Sequence, residues 1–101
     1  MNDSTPPLDV RHNEAASRFE AIVDGHTAFA AYDRDDDVLR LNHTSVPASL
    51  EGRGIAGALV RAALDYARAQ GLKVEPWCSY VRAYMKRHPD TQSLLPPGFR
   101  L

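Results

Sequence analysis

LEGRGIAGA, residues 50–58, lies between a predicted strand and a predicted helix and contains three glycines. A glycine has no side chain, so the backbone can approach a ligand closely there. The start of a helix also presents unpaired N–H groups and the positive end of the helix dipole. We therefore predict that this loop binds a phosphate or pyrophosphate group. It differs from a P-loop because no Lys-Ser/Thr pair follows the glycines, and from the dinucleotide fingerprint in its glycine spacing.

Before this loop, alternating apolar and polar side chains predict antiparallel strands. The Asp24-Gly25 pair is typical of a two-residue hairpin turn, and Pro47 ends the last strand because proline has no N–H to pair. On that last strand we expect Leu39, Leu41, His43 and Ser45 to share one face. The predicted elements are a strand at Arg18–Val23, a strand at Thr27–Tyr32, a solvated turn at Asp33–Asp37 and a strand at Val38–Val46.

After the loop, apolar residues recur at helical spacing from Ile55 to Ala67, and Gly71 is well placed to end that helix. A short strand over Leu72–Trp77 follows, and its Pro76 implies either a sheet edge or a bulge. Ser79 is a candidate cap for a second helix that runs to Arg87. The order of strands, helix, strand and helix predicts an α+β fold, a mixed α/β layer.

Length and composition favour one small domain of ordinary globular type: 101 residues, 44% hydrophobic and 25% charged. We expect residues 1–9 to be a flexible leader, 10–95 the folded domain and 96–101 an irregular tail. No apolar run reaches the length of a membrane span. The single cysteine excludes an intramolecular disulfide and favours a cytoplasmic setting.

Charge is distributed unevenly along the chain, although the net charge is only −1. Residues 1–50 carry four basic and nine acidic side chains, whereas residues 51–101 carry eight basic and four acidic ones. The basic half contains the glycine loop, which suits an anionic ligand. The alternative is that the uneven charge distribution is random scatter in a short chain. A pI near 6.4 argues against a nucleic-acid surface.

The glycine loop resembles the pyrophosphate motif of the GNAT N-acetyltransferase superfamily, Gln/Arg-x-x-Gly-x-Gly/Ala, with Gly54 and Ala56 at the two small positions. Glu51 stands where Gln or Arg is usual. The segments HTSVP at 43–47, PWCSYV at 76–81 and RHP at 87–89 follow in the order of a truncated GNAT subfamily of about this length. The resemblance spans roughly residues 10–95. It implies a GNAT-like fold and acetyl-CoA as co-substrate.

The resemblance also implies positions for the cofactor. The loop backbone would hold the pyrophosphate, and basic side chains nearby would contact phosphates. Arg53 is the first of these candidates; Lys86 and Arg87 are others, and each could equally be a solvated surface residue. The implied cofactor-binding residues are Val46, Glu51, Gly52, Arg53, Gly54, Ile55, Ala56, Gly57, Ser79 and Arg82.

Three side chains are candidates for catalysis. His43 could act as the base that deprotonates the amine, or could simply hydrogen-bond against the sheet. Cys78 could accept the acetyl group transiently, or could be a small buried hydrophobic residue. The resemblance implies that Tyr84, on the second helix, could protonate the departing thiolate; the alternative is a core aromatic. The histidines and the cysteine show no metal-ligand spacing, so no metal is expected.

We therefore predict transfer of an acetyl group from acetyl-CoA to an unidentified amine. The predicted oligomeric state is a monomer or a weak dimer. The alternative is a non-catalytic module that binds acetyl-CoA or CoA. We expect neither a nucleic-acid nor a membrane partner. The acidic run Asp33–Asp37 could attract a basic acceptor or could be only a wet turn.

Overall fold

A computed structural model describes residues 8–101. Within them, five strands form one sheet in the order β1-β2-β3-β4-β5, and two helices follow β4 and β5. Two short 3-10 turns lie at Ala48–Leu50 and Pro89–Leu94. The main elements are β1 (Arg11–Asn13), β2 (Arg18–Val23), β3 (His26–Asp35), β4 (Val38–Ser45), α1 (Ile55–Gln70), β5 (Lys73–Pro76) and α2 (Ser79–Arg87).

The sheet is antiparallel from β1 to β4, and β5 pairs parallel to β4 after the α1 crossover. One face of the sheet is buried under α1 and α2, which forms the core. The opposite face carries charged and polar residues together with Ile22 and Trp77, which are 68% and 64% exposed. This arrangement confirms the predicted α+β fold.

Helix α1 begins and ends at glycines in left-handed conformation. Gly54 precedes it with φ +76°, and Gly71 follows it with φ +71°. The N–H of Gly71 is hydrogen-bonded to the carbonyls of Ala67 and Arg68, so the predicted stop is confirmed. Its buried stripe, from Ile55 to Ala67, packs on the sheet. Within residues 8–101, neither helix has the length and apolar content needed to cross a bilayer.

Several local predictions were wrong. The predicted turn at Asp33–Asp37 is shorter, because β3 continues to Asp35 and only Asp36 and Asp37 form the turn. The short strand β1 was not predicted at all. Ser79 is the first residue of α2, and the N-cap is Cys78. The leader predicted at residues 1–9 lies mostly outside the described residues and stays a prediction; in its described part, Leu8 packs against the core.

A β-bulge corrects the predicted face of β4. Tyr32 pairs with Leu41 but the preceding Ala31 pairs with His43, so Asn42 is the extra residue. An inserted residue moves every following side chain to the other face. His43 therefore lies on the open face of the sheet with Ala31, whereas Leu39 and Leu41 are buried under the helices. The four residues do not share one face.

Candidate functional site

The N-terminus of α1 is an open group of hydrogen-bond donors. Within the described residues no side chain caps its first turn, and the first intrahelical bond runs from Ala58 N–H to the Gly54 carbonyl. The N–H groups of Ile55, Ala56 and Gly57 are thus left for a ligand. Their direction and the helix dipole favour an anion.

The glycines of the loop differ in their backbone conformation. Gly52 and Gly54 have φ of +84° and +76°, a conformation that other residues rarely adopt, and a Cβ at either position would meet open space. Gly57 lies inside α1, where a Cβ would stand 3.5 Å from the Tyr80 hydroxyl. Gly52 and Gly54 therefore shape the loop, whereas a Cβ at Gly57 would make only an ordinary van der Waals contact with α2.

An open pocket of about 530 Å³ lies along the loop. It runs from the end of β4 across the N-terminus of α1 to Tyr80 on α2. The pocket brings together six of the ten predicted cofactor-binding residues from the loop itself, and Val46 beside them. Its lining is Thr44, Ser45, Val46, Leu50, Glu51, Gly52, Gly54, Ile55, Ala56, Gly57 and Tyr80.

The other predicted cofactor residues have partners elsewhere. Arg53 is ion-paired with Asp24 of the β2–β3 turn at 3.1 Å, and both side chains are exposed. Arg82 donates to the carbonyl of Arg100 at 3.0 Å and lies over the ring of Phe99. These contacts hold the C-terminal segment against α2. Ser79 is exposed in the first turn of that helix.

Cys78 lies at the N-cap of α2, half-buried, with its Sγ 3.7 Å from the Thr44 hydroxyl. Because Thr44 lines the pocket, the Cys78 thiol lies next to the end of the pocket that Thr44 forms, which we call the inner end. Partial burial acts to raise the pKa of the thiol, but hydrogen bonding from the Val81 and Tyr80 N–H groups and from Thr44 outweighs it and lowers the pKa. The Cys78 side chain makes no capping hydrogen bond of ordinary geometry, so these N–H groups act on the thiol mainly through the positive end of the helix dipole.

The two tyrosines of α2 have different surroundings. Tyr80 lines the pocket, and its hydroxyl faces Gly57. Tyr84, the predicted proton donor, is 7% exposed, and its hydroxyl accepts from Arg61 Nε at 2.9 Å. The Tyr84 ring also stacks on His88 at 4.0 Å. Tyr80 is thus the tyrosine that lines the pocket, whereas the family resemblance had suggested Tyr84.

His43 is separated from the pocket by the sheet. Its exposed ring lies 5.8 Å from that of Phe29 on the open face, while the next residue, Thr44, faces the pocket. The parallel pairing of β4 with β5 stops at Leu41 and Pro76, and the N–H groups of Trp77 and Cys78 both donate to the Leu41 carbonyl. Beyond this point no backbone pairing joins the two segments, although the Cys78 Sγ remains 3.7 Å from the Thr44 hydroxyl.

Metal binding has no structural support among residues 8–101, where no cluster of three His, Cys, Asp or Glu side chains could hold an ion. The chemistry available here is that of a thiol, a histidine, a tyrosine and backbone donors.

A glycine loop between a central strand and a helix N-terminus is the setting of the GNAT pyrophosphate motif. A solution structure of a GCN5-like protein from Staphylococcus aureus superposes with a TM-score of 0.71, covering 92% of this chain and 91% of that one at 24% identity. This likeness concerns the fold.

Residues 18–94 match the GCN5-related N-acetyl-transferase family. The chain is also 34% identical over 91 residues to Protein NATD1 of Gallus gallus, covering 87% of this chain and 83% of that protein. Protein NATD1 of Homo sapiens shows the same identity over 87% of this chain and 80% of its own length. The chain therefore belongs to the GCN5-related N-acetyltransferase family, as the sequence motif predicted.

Proposed function

We propose that this protein transfers an acetyl group from acetyl-CoA to an amine. The observation that carries the proposal is the single pocket that joins uncapped helix N–H groups at one end to Thr44, Tyr80 and the neighbouring Cys78 thiol at the other. The first end suits a pyrophosphate and the second suits a thioester. Family membership supports the same assignment.

Acetyl-CoA would supply a thioester whose carbonyl carbon accepts a nucleophile. Transfer forms an N–C bond, breaks the C–S bond, removes one proton from the amine and returns one to the departing sulfur. In this proposal His43, on the open face, takes the first proton from an amine arriving there. Tyr80, in the pocket, gives the second. Arg61 holds the Tyr84 hydroxyl, so Tyr84 is the weaker candidate.

Cys78 offers a second route for the same reaction. Its lowered pKa increases the thiolate fraction at neutral pH, and a thiolate can attack the thioester to give an S-acetyl cysteine. The amine would then take the acetyl group from that sulfur, regenerating the thiol.

A non-catalytic module that binds acetyl-CoA is the second candidate function. The exposed Glu51 carboxylate in the pocket lining favours it, because a negative charge there weakens pyrophosphate binding. The cytoplasmic location and the monomer or weak dimer are part of the proposal; the single cysteine suits a reducing compartment.

Calorimetric titration with acetyl-CoA, followed by intact mass spectrometry, tests the proposal. We expect micromolar or tighter binding, about −8 kcal/mol or better. An acetyl adduct absent from Cys78→Ala would identify the covalent route. Binding followed by CoA release no faster than background in an amine screen would favour the binding module. No binding at millimolar acetyl-CoA would remove the assignment.

A further inference from the structure

The open face of the sheet has a second pocket at the end of β4 and β5. It measures about 450 Å³ and is lined by Asp33, Arg40, Asn42 and Trp77. Trp77 immediately precedes Cys78, so this pocket lies across the sheet from the inner end of the cofactor pocket. The backbone pairing of β4 with β5 ends between the two pockets, at Leu41 and Pro76.

The lining itself carries one carboxylate and one guanidinium, and two further carboxylates, of Glu75 and Asp35, are ion-paired with that guanidinium. Asp33, Arg40 and Glu75 are cross-strand neighbours on β3, β4 and β5. Arg40 is already ion-paired with Glu75 at 3.0 Å and with Asp35 at 3.3 Å, and these carboxylates raise its pKa. The Asp33 carboxylate, by contrast, accepts from the Asn42 side chain at 3.2 Å and has no ion-pair partner among residues 8–101.

The nearest other cations on these strands are turned away from the pocket. Arg34 donates to the hydroxyl of Tyr66 on α1, and Lys73 donates to the carbonyl of Ser93. Three carboxylates therefore surround one guanidinium, and the surplus charge is open to a positively charged ligand.

Trp77 adds a recognition surface that a solvated acidic turn lacks. It is 64% exposed, although most of the chain's large hydrophobic side chains are buried. Its Nε1–H donates to Glu75 Oε1 at 2.9 Å, the same oxygen that accepts from Arg40. The indole is thus held in place with its ring accessible, and such a ring attracts an ammonium group.

We propose that this pocket binds the alkylammonium group of the acetyl acceptor, with the Trp77 ring and the Asp33 carboxylate as its recognition groups. The inference rests on the proposed transferase function and adds the acceptor's chemical class and binding residues. An ammonium held here is on the same face as His43, which follows Asn42 in the bulge. His43 would take the ammonium proton, which frees the nitrogen lone pair for attack, and the second proton, lost as the amide forms, would go to the departing sulfur. The base and the acceptor then meet on one side of β4, and Cys78 and the thioester on the other.

The chain itself supplies the probe, because Trp77 is its only tryptophan. Fluorescence of the full chain is followed during titration with spermidine and, separately, with a capped lysine amide, both without acetyl-CoA. We expect saturable fluorescence changes that weaken as salt is raised. A response to spermidine alone would indicate a free polyamine as acceptor. A response to the lysine amide would indicate a lysine side chain of a protein. Either response supports an alkylammonium site.

Asp33→Asn and Asp36→Asn form a matched pair, since each removes one carboxylate of the same acidic run. Asp36 lies in the turn with φ +55°, where asparagine is well tolerated. For whichever amine binds more tightly, we expect Asp33→Asn to weaken binding about tenfold and Asp36→Asn to change the affinity less than about twofold. Circular dichroism checks that both variants fold.

No fluorescence change with either amine, or equal weakening by both variants, would overturn the proposal. The result is separable from the transferase assignment. Acetyl-CoA binding without amine binding would remove only the acceptor site. Asp33-dependent amine binding without acetyl-CoA binding would leave the site and remove the transferase role.

Discussion

The two sides of β4 differ in how they offer charge to a ligand. On the helix side, the pocket is lined mainly by glycines, small side chains and backbone N–H groups. On the open side, the pocket is lined by charged and aromatic side chains that bond to one another. Backbone donors suit a polyanion of fixed shape, whereas side-chain carboxylates and an indole suit a cation. A single strand can thus separate an anionic co-substrate from a cationic acceptor.

The bulge at Asn42 makes this separation possible. Without the extra residue, His43 would face the helices with Leu39 and Leu41. With it, His43 faces the open side and Thr44 faces Cys78. Two consecutive residues of one strand therefore serve opposite ends of the proposed reaction.

The most severe test of the helix side is Gly54→Glu. The substitution forces a side chain into a conformation with φ +76° and adds a negative charge at the helix N-terminus. We expect acetyl-CoA affinity to fall at least about a hundredfold by calorimetry. Gly71→Glu is the control, since it carries the same backbone strain at the other end of α1. Equal loss in both variants would show a stability effect and contradict the loop assignment.

Tyr80→Phe and Tyr84→Phe separate the two tyrosines of α2. We expect Tyr80→Phe to lower acetyl transfer about ten- to a hundredfold, because it removes the hydroxyl in the pocket. Tyr84→Phe removes the Arg61 hydrogen bond and should cost about 1 kcal/mol of unfolding free energy, with a smaller effect on transfer. Steady-state rates and urea unfolding measure both. The reverse ranking of rates would restore Tyr84 as the proton donor.

The reactivity of Cys78 reports the link between β4 and α2. The lowered pKa predicts that alkylation by iodoacetamide reaches half its maximal rate below the ordinary thiol pKa. Thr44→Val removes one of the hydrogen bonds that lower this pKa, so the midpoint should rise. Ser45→Ala, which removes the adjacent hydroxyl, is the control and should leave it in place. An unchanged midpoint in Thr44→Val would show that Thr44 does not tune the thiol.

Local patterns predicted the elements whose side chains repeat regularly. The alternation of β2, the apolar stripe of α1 and the stop at Gly71 are all confirmed. Strand β1 was missed because its three residues show no such repeat. It is held by distant contacts: the His12 ring stacks on Phe19 at 4.1 Å and bonds the Tyr32 hydroxyl at 2.6 Å. Tertiary packing of this kind leaves no local signal.

The sequence was enough to predict the glycine loop of the candidate site, but not which side chains surround it. The glycines of the loop predicted the end of the pocket that we propose for the anion, because glycine is the residue type that suits its backbone conformation. The amino-acid sequence of β4 gives no sign of the bulge, which only the register with β3 reveals. Tyr80 and Tyr84 lie four residues apart on one helix, so spacing places both on similar faces. Their difference depends on Arg61, a partner from α1.

The smallest effect tests Glu51, the residue that departs from the family motif. Its carboxylate lines the pocket at the helix N-terminus, where it opposes the charge of a pyrophosphate. Glu51→Gln should tighten acetyl-CoA binding about two- to fivefold at low salt, less as screening increases. Glu14→Gln, in the turn after β1 at the far edge of the sheet, removes the same charge and should not. If both variants tightened binding equally, net charge would be acting at long range. If neither did, the pyrophosphate would lie away from Glu51, towards the N–H groups of Ala56 and Gly57.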